Sequence, residues 1–187
     1  MSTYRDLPPY HPENGDLNAV IDTPKGSRNK YSYREAIGLF ELSGVLAAGM
    51  VFPYDFGFIP QTLGGDGDPL DVLVLMDEPA FVGCIVPARL LGVIEAEQTE
   101  QGNTARNDRL IAVATDSPAH DTLRDLSDIA EQRLDEIEHF FISYNDAKGK
   151  KFQPLGRFGP DRARQLIDQS RQSTSSNEII HADPPRH

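Results

Sequence analysis

The 187-residue chain is long enough for one domain with a sizeable core and too short for two ordinary domains. Its formal net charge of −11 argues against nucleic-acid or membrane binding, because anionic phosphate surfaces attract clustered Lys and Arg. The single cysteine, Cys84, excludes an intrachain disulfide, and no apolar run approaches the roughly 20 residues of a membrane span. We therefore expect a soluble, cytoplasmic protein.

The first part of the chain predicts an irregular arm followed by strands. Residues 1–16 are rich in proline and polar side chains, which is typical of irregular structure. Strand-forming residues come next, in segments separated by turn-forming ones. The predicted strands or extended segments are 17–23, 30–35, a meander over 37–42, and 52–59 with kinks at Pro53 and Gly57.

The middle of the chain predicts further strands. Val72 to Met76 form a continuous apolar run, as expected of a strand buried on both faces. Residues 83–97 are interrupted by Pro87 and predict two bent strands or one bulged strand. Residues 108–115 predict another strand, and the polar segment 97–107 predicts a loop.

The last part predicts two helices and a tail. From Ser127, which can cap a helix, apolar residues recur at helical spacing (130, 134, 137, 141 and 144). Pro160 is suited to the first turn of a second helix. The polar segment 171–187 predicts a disordered tail, which leaves residues 17–170 as the domain. Strands first and helices last favour an α+β fold, with helices packed outside a curved sheet or small barrel.

An acidic cluster lies in the stretch Gly64-Gly65-Asp66-Gly67-Asp68-Pro69-Leu70-Asp71. Asp66 and Asp68 are two residues apart, so an extended chain points both in one direction, and Asp71 opens the buried strand. Converging carboxylates repel each other, and a hard divalent cation such as Mg²⁺, Mn²⁺ or Ca²⁺ relieves that repulsion. A solvated acidic turn is the alternative, although an unpaired Asp71 beside an apolar strand would be costly.

Other common sites fit this sequence poorly. An EF-hand loop starting at Asp66 needs glycine at its sixth position, where Asp71 stands. The five histidines include no pair at a spacing suited to zinc. The chain also lacks the phosphate-binding P-loop pattern and the G-x-S-x-G nucleophile pattern.

The motif Asp66-Gly-Asp-Pro-Leu-Asp-Val resembles the hallmark of the family I soluble inorganic pyrophosphatases. Asp22-Thr-Pro-Lys-Gly-Ser-Arg-Asn-Lys-Tyr and Phe52-Pro-Tyr-Asp-Phe-Gly-Phe-Ile-Pro are similar to two further family segments. The resemblance spans residues 17–170 approximately. It implies an OB-like five-stranded antiparallel β-barrel with two flanking C-terminal α-helices, assembled as a homo-oligomer and typically as a hexamer.

The resemblance also implies an activity, the hydrolysis of inorganic pyrophosphate to two phosphates with Mg²⁺, or alternatively Mn²⁺, as cofactor. The implied metal ligands are Asp66, Asp68 and Asp71. Asp68 would also take a proton from the attacking water. Lys30, Arg109 and Tyr144 would hold the phosphates as part of the catalytic set. Bound metal ions would make an acidic pocket attractive to a tetra-anion.

The sequence departs from the family pattern at several functional positions. The family pattern has Glu at the positions of Asp22 and Ser32, and Arg at the position of Gly44. It has Tyr at the positions of Phe52 and Phe56, and Lys at the positions of Arg109 and Asn145. Two metal-ligand aspartates are missing, at Gln98 and Asn107, with Glu97, Glu100 or Asp108 as candidate replacements. Three interpretations follow: a weakened pyrophosphatase, a non-catalytic relative that keeps the assembly and one cation site, or a hydrolase of another phosphorylated substrate.

Overall fold

The computed structural model describes residues 4–180, apart from the side chains of Arg5 and of residues 172–180. The strands are β1 (Leu17–Thr23), β2 (Asn29–Arg34), β3 (Leu39–Val45), β4 (Asp55–Phe58), β5 (Asp71–Leu75), β6 (Ile85–Glu100), β7 (Asn103–Arg106), β8 (Arg109–Ala114) and β9 (Lys151–Phe158). The α-helices are α1 (Glu131–Asp146) and α2 (Pro160–Ile180). None of the described helices is both long and apolar enough to cross a membrane.

Five strands are joined by a closed circuit of pairings, and the predicted α+β, OB-like fold is confirmed. β1 pairs with β4 and β6, β4 with β5, β5 with β8, and β8 with β6. One of these pairings differs from the antiparallel expectation, because β5 and β8 run parallel. A parallel pair needs a long crossover, which β6 and β7 supply here. β2 and β3 form a separate hairpin.

The segment containing Pro87 forms a single long strand, β6, which has one bulge at Leu91 and pairs with a bulge at Leu155 of β9. Its register shifts between Leu90 and Gly92 and again between Glu95 and Ala96. At Gly92 a Cβ atom would lie 2.2 Å from the backbone oxygen of Phe158, so only glycine fits. The bends allow one strand to pair with β1, β7, β8 and β9.

Two predictions about local structure were wrong, and one strand was not predicted. The polar segment 97–107 forms the end of β6 and the strand β7, joined by a turn in which Gln101 and Gly102 have positive φ. β9 was not predicted, because Pro154 and Gly156 disrupt its strand pattern. α1 begins at Glu131 rather than Ser127, after a short 3₁₀ turn capped by Asp125.

The second helix is longer than expected. α2 continues to Ile180, so helical backbone occupies the first part of the segment predicted as a disordered tail. The rest of that segment, 181–187, lies outside the described residues.

The apolar core lies on both faces of β5, as its unbroken apolar run predicted. Val72 and Val74 belong to the cluster that contains Ala163 and Ile167 of α2. Leu73 and Leu75 belong to the opposite cluster, which contains side chains of α1 (Leu134, Ile137 and Phe141). Both faces of this strand are therefore covered, and Asp71 at its start is held at the edge of a rigid core.

Asp55 is a buried carboxyl group with one unpartnered oxygen. It is 1% exposed, and its Oδ1 accepts hydrogen bonds from the backbone of Lys25 and Ala80, whereas Oδ2 is buried without a partner. Burial raises the pKa of this carboxyl above its ordinary value. Between the pKa of Asp55 in the unfolded chain and its higher pKa in the folded protein, the folded protein keeps a proton that the unfolded chain has lost. The free energy of unfolding therefore falls as pH rises through this range.

We expect Asp55→Asn to increase the free energy of unfolding by about 1 kcal/mol at pH 8 and by less at pH 4. Asparagine keeps the acceptor oxygen and carries no charge. Urea unfolding of both proteins at the two pH values measures the difference. A variant that is no more stable than the parent at pH 8 would contradict the interpretation.

Candidate active site

A cleft with a volume of about 1190 Å³ collects side chains from distant parts of the chain. It is lined by residues of β1, β2, β4, β8 and α1, together with the loop that precedes β5. The six side chains singled out in the sequence all line it: Lys30, Asp66, Asp68, Asp71, Arg109 and Tyr144.

Arg109 is a buried cation at the start of β8, with only 4% of its side chain exposed. It is the parallel-strand partner of Asp71, so the two side chains share one face of the sheet. Its Nη1 donates to Asp71 Oδ2 at 2.5 Å and also to Asn107 Oδ1. The guanidinium lies 4.8 Å from the ring centre of Phe141 and 5.3 Å from that of Phe152. These contacts hold a positive charge in a defined position.

Asp71 is surrounded by protein but still reached by water. Burial raises its pKa to about 6, and the neighbouring Arg109 and Lys30 charges oppose that rise. The Asp71 side chain is nevertheless 25% exposed, and it lines the open cleft. A raised pKa means that the negative charge is incompletely compensated, so an additional cation would stabilise the ionised form.

Lys30 forms a second buried ion pair in the cleft. Its Nζ lies 2.8 Å and 2.9 Å from the two carboxylate oxygens of Asp22 and donates to the backbone oxygen of Tyr31 at 2.9 Å. The same ammonium lies 4.6 Å from the ring centre of Phe56. Burial raises the pKa of Asp22, and the Lys30 charge opposes that shift. Asp22 thus orients Lys30, although it is one methylene shorter than glutamate.

The loop before β5 presents Asp66 and Asp68 to the cleft. Asp66 Oδ1 accepts a hydrogen bond from the backbone of Asp68 at 3.2 Å, and Gly67 adopts a positive φ of 90° between them. Burial, opposed by that backbone hydrogen bond, raises the pKa of Asp66, and the Asp68 charge adds to the rise. Among the side chains that the structure describes, no three of His, Cys, Asp or Glu are close enough to form a ready-made metal group.

The positions of the two missing aspartates carry neutral amides. Gln98 and Asn107 both line the cleft, and Asn107 Nδ2 donates to Gln98 Oε1 at 3.0 Å. None of the candidate replacements lines the described part of the cleft: Glu97, Glu100 and Asp108. Asp108 instead binds Arg106 at 2.8 Å and Glu100 binds Lys150 at 2.8 Å. None of these three carboxylates therefore lines the cleft beside the amide pair.

Basic side chains not identified from the sequence also line the cleft: Lys148, Lys150 and Arg171. The ammonium of Lys148 contacts the Tyr144 hydroxyl and lies 4.2 Å from the centre of its ring. Burial, and then the Lys150 charge, lower the pKa of Lys148. The spacing of four residues from Tyr144 is the signal that would have identified it, because a side chain just past the end of α1 at this spacing lies beside the last turn of the helix. Asn145 is buried and donates to the Phe141 carbonyl.

Comparison with known proteins agrees with this architecture. The family model described as inorganic pyrophosphatase matches residues 19–175. An inorganic pyrophosphatase of Nostoc sp. is 40% identical over 162 residues, which cover 87% of this chain and 94% of that protein. One from Halalkalibacterium halodurans is 40% identical over 156 residues, covering 82% of this chain and 91% of that protein.

Solved structures show the same relationship. The crystal structure of inorganic pyrophosphatase from Thermus thermophilus superposes with a TM-score of 0.83 at 31% identity, covering 93% of this chain and 99% of that one. An inorganic pyrophosphatase from Neisseria gonorrhoeae superposes with a TM-score of 0.82 at 29% identity, covering 92% and 98%. The matched residues extend over nearly the whole fold and include every side chain that lines the charged part of the cleft. This chain belongs to the inorganic pyrophosphatase family.

Proposed function

We propose that this chain hydrolyses inorganic pyrophosphate to two phosphates with Mg²⁺ as its cofactor and Mn²⁺ as an alternative. The observation that supports the proposal is the meeting of two ion pairs, Asp22–Lys30 and Asp71–Arg109, with the Asp66 loop in one cleft. In a chain of net charge −11, an anionic substrate needs such a local concentration of cations. The cleft supplies both the cations and the carboxylates.

The basic and hydroxyl groups bind the substrate. Lys30 and Arg109 neutralise phosphate oxygens, and each keeps its position through the carboxylate that it already contacts. The Tyr144 hydroxyl donates a hydrogen bond to a phosphate oxygen, and Lys148 beside it adds positive charge. Phosphoryl transfer depends more on such positioning and charge neutralisation than on covalent catalysis.

Asp68 acts as the proton acceptor. It takes a proton from a water molecule while the water oxygen bonds to one phosphorus and the bridging P–O bond breaks. Asp68 then gives up this proton to the leaving phosphate, so water is consumed, two phosphates are formed and the carboxylate is regenerated. Asp68 is exposed at the cleft, where both substrate and water can reach it.

The aspartates have the ligand chemistry that a hard divalent cation prefers, although their carboxylates do not form a preassembled group. Carboxylate oxygens are the preferred ligands of Mg²⁺ and Mn²⁺, and Asp66, Asp68 and Asp71 supply them from one loop and the strand that follows. The raised pKa values of Asp66 and Asp71 indicate negative charge that a bound cation would compensate. When bound, the ion polarises phosphoryl oxygens and acidifies water.

Phosphate release from inorganic pyrophosphate, measured across Mg²⁺, Mn²⁺ and Ca²⁺ concentrations, tests the proposal. We expect release that depends on Mg²⁺ and stops when the metal is chelated. Release is expected to need high Mg²⁺, because Gln98 and Asn107 are neutral. If pyrophosphate is not hydrolysed with any of the metals, the protein is a non-catalytic relative or acts on another phosphorylated substrate.

Gly44→Arg should increase kcat/KM for pyrophosphate by roughly tenfold. Gly44 is the cross-strand partner of Lys30, and a Cβ atom there would meet nothing within 4 Å. A guanidinium–phosphate hydrogen bond contributes about 1.5–3 kcal/mol, and 1.36 kcal/mol is a factor of ten in rate. Gly44→Gln is the matched control, since it adds a side chain without charge. Equal effects of the two substitutions would show that added charge at this position is not the limiting feature.

We also propose that the chain assembles as a homo-oligomer of six subunits. Its proposed location is the cytoplasm, without nucleic-acid or membrane partners. Several large apolar side chains are exposed, among them Leu42, Val45 and Phe81. A neighbouring subunit would cover this apolar surface. Sedimentation of the purified chain measures the number of subunits.

A further inference from the structure

The cleft has an aromatic half beside its charged half. Tyr4, Tyr33 and Phe58 line the same cleft as Asp71 and Arg109. The rings of Tyr33 and Phe58 are stacked at 23°, with their centres 6.1 Å apart. Tyr4 meets both edge-on, at centre distances of 5.0 Å and 6.3 Å. All three side chains are half-buried, so part of their ring surface faces the cleft.

The two halves are directly adjacent. Phe58 is the cross-strand partner of Asp71 in the β4–β5 pair. Side chains at directly opposite positions share a face of the sheet, with Cβ atoms about 5 Å apart. The aromatic surface therefore begins beside the carboxylate that binds Arg109, and a single ligand can contact both halves.

The aromatic half is also well ordered by its own contacts. The Tyr4 hydroxyl donates to the backbone oxygen of Gly83 at 2.6 Å, which attaches the amino-terminal arm to the start of β6. Tyr33 is paired with Phe40 across the β2–β3 hairpin, and their ring centres are 5.2 Å apart. Binding a ligand to this surface would require little further ordering of side chains.

The dimensions of the cleft exceed what inorganic pyrophosphate requires. A volume of about 1190 Å³ is somewhat larger than that of most sites for drug-sized ligands, roughly 300–1,000 Å³. Two linked phosphate groups would occupy only the charged half and leave the aromatic half empty. A planar aromatic group attached to a diphosphate matches both the size and the two chemical environments.

We propose that the aromatic half binds the base of a nucleoside diphosphate whose diphosphate group lies in the charged half. The inference rests on the proposed function for the diphosphate part of the site. Any of the nucleic-acid bases can stack on an aromatic side chain, because every base has a π-face. Nucleoside diphosphates therefore compete with inorganic pyrophosphate for the cleft.

Calorimetric titration with two non-hydrolysable probes tests the inference on the full chain in Mg²⁺: methylenediphosphonate and its adenosine ester. We expect the ester to bind the parent protein about tenfold more tightly than methylenediphosphonate. Tyr33→Leu should remove this advantage and leave methylenediphosphonate binding unchanged. Tyr33→Phe should keep it, since the ring is retained. Tyr31→Leu is the matched control, on the same strand but outside the cleft lining.

The outcomes separate the two proposals. If methylenediphosphonate binds and the ester has no advantage, or Tyr33→Leu leaves its advantage intact, the aromatic site is wrong and the proposed function stands. If neither probe binds the parent protein, the diphosphate site and the inference that rests on it both fail. Thermal unfolding verifies that Tyr33→Leu is folded, and Phe58→Leu provides a second variant with the same expectation.

Discussion

Asp68→Asn should lower kcat for pyrophosphate hydrolysis by about 100- to 10,000-fold, the range contributed by a positioned general base. The amide has the size of the carboxylate but can neither accept the proton of the attacking water nor carry negative charge towards a cation. Asp68 is exposed, and its backbone rather than its side chain contacts Asp66, so the fold should tolerate the change. Phosphate release at saturating substrate measures the loss.

Asp116→Asn is the matched control for this substitution. Asp116 is equally an exposed aspartate, but it lies outside the cleft lining. We expect it to retain the activity of the parent protein. Hydrolysis that survives Asp68→Asn would show that the proton acceptor is another group.

Arg109→Gln should both destabilise the protein by about 3 kcal/mol and lower kcat/KM by roughly 10- to 100-fold. Removing the guanidinium leaves Asp71 without its ion-pair partner and leaves the rings of Phe141 and Phe152 without the cation that lies over them. The substrate loses a charge-assisted contact as well. Urea unfolding and steady-state kinetics measure the two effects separately.

The stability loss in Arg109→Gln should be larger at pH 8 than at pH 5. The pKa of Asp71, already about 6, rises further without Arg109. The ionised carboxyl is then unfavourable above its folded pKa, and protonation removes that cost as pH falls.

Arg109→Lys should recover much of the activity, since charge is kept while the second hydrogen bond, to Asn107, is lost. A stability loss in Arg109→Gln that does not depend on pH would indicate that lost packing, rather than the lost ion pair, accounts for the effect.

The two phenylalanines that replace family tyrosines keep ring contacts while losing hydroxyl groups. Phe56 lies beneath the Lys30 ammonium at 4.6 Å, so its ring still stabilises the cation. Phe52 is 1% exposed, and its ring centre is 5.7 Å from that of Tyr144. These two substitutions therefore preserve the ring packing around Lys30 and Tyr144.

Local sequence patterns were sufficient to predict much of the fold. The continuous apolar run at 72–76 predicted a strand covered on both faces, because only such a strand needs no polar side. The helical spacing between 130 and 144 predicted α1, because one apolar stripe must face the core. The short spacing of Asp66, Asp68 and Asp71 predicted the acidic loop without any tertiary information, since neighbours in sequence cannot be far apart in space.

Contacts between distant segments depended on the tertiary structure. β9 forms despite Pro154 and Gly156, because pairing with β6 outweighs their weak strand preference. The hydrogen bond from Arg109 to Asp71 exists because two strands far apart in the chain pair in parallel with these residues in register. The aromatic half of the cleft likewise requires the arm, the hairpin and β4 to meet. Periodicity describes which face of an element is apolar, whereas strand register and the course of the chain decide which side chains share a site.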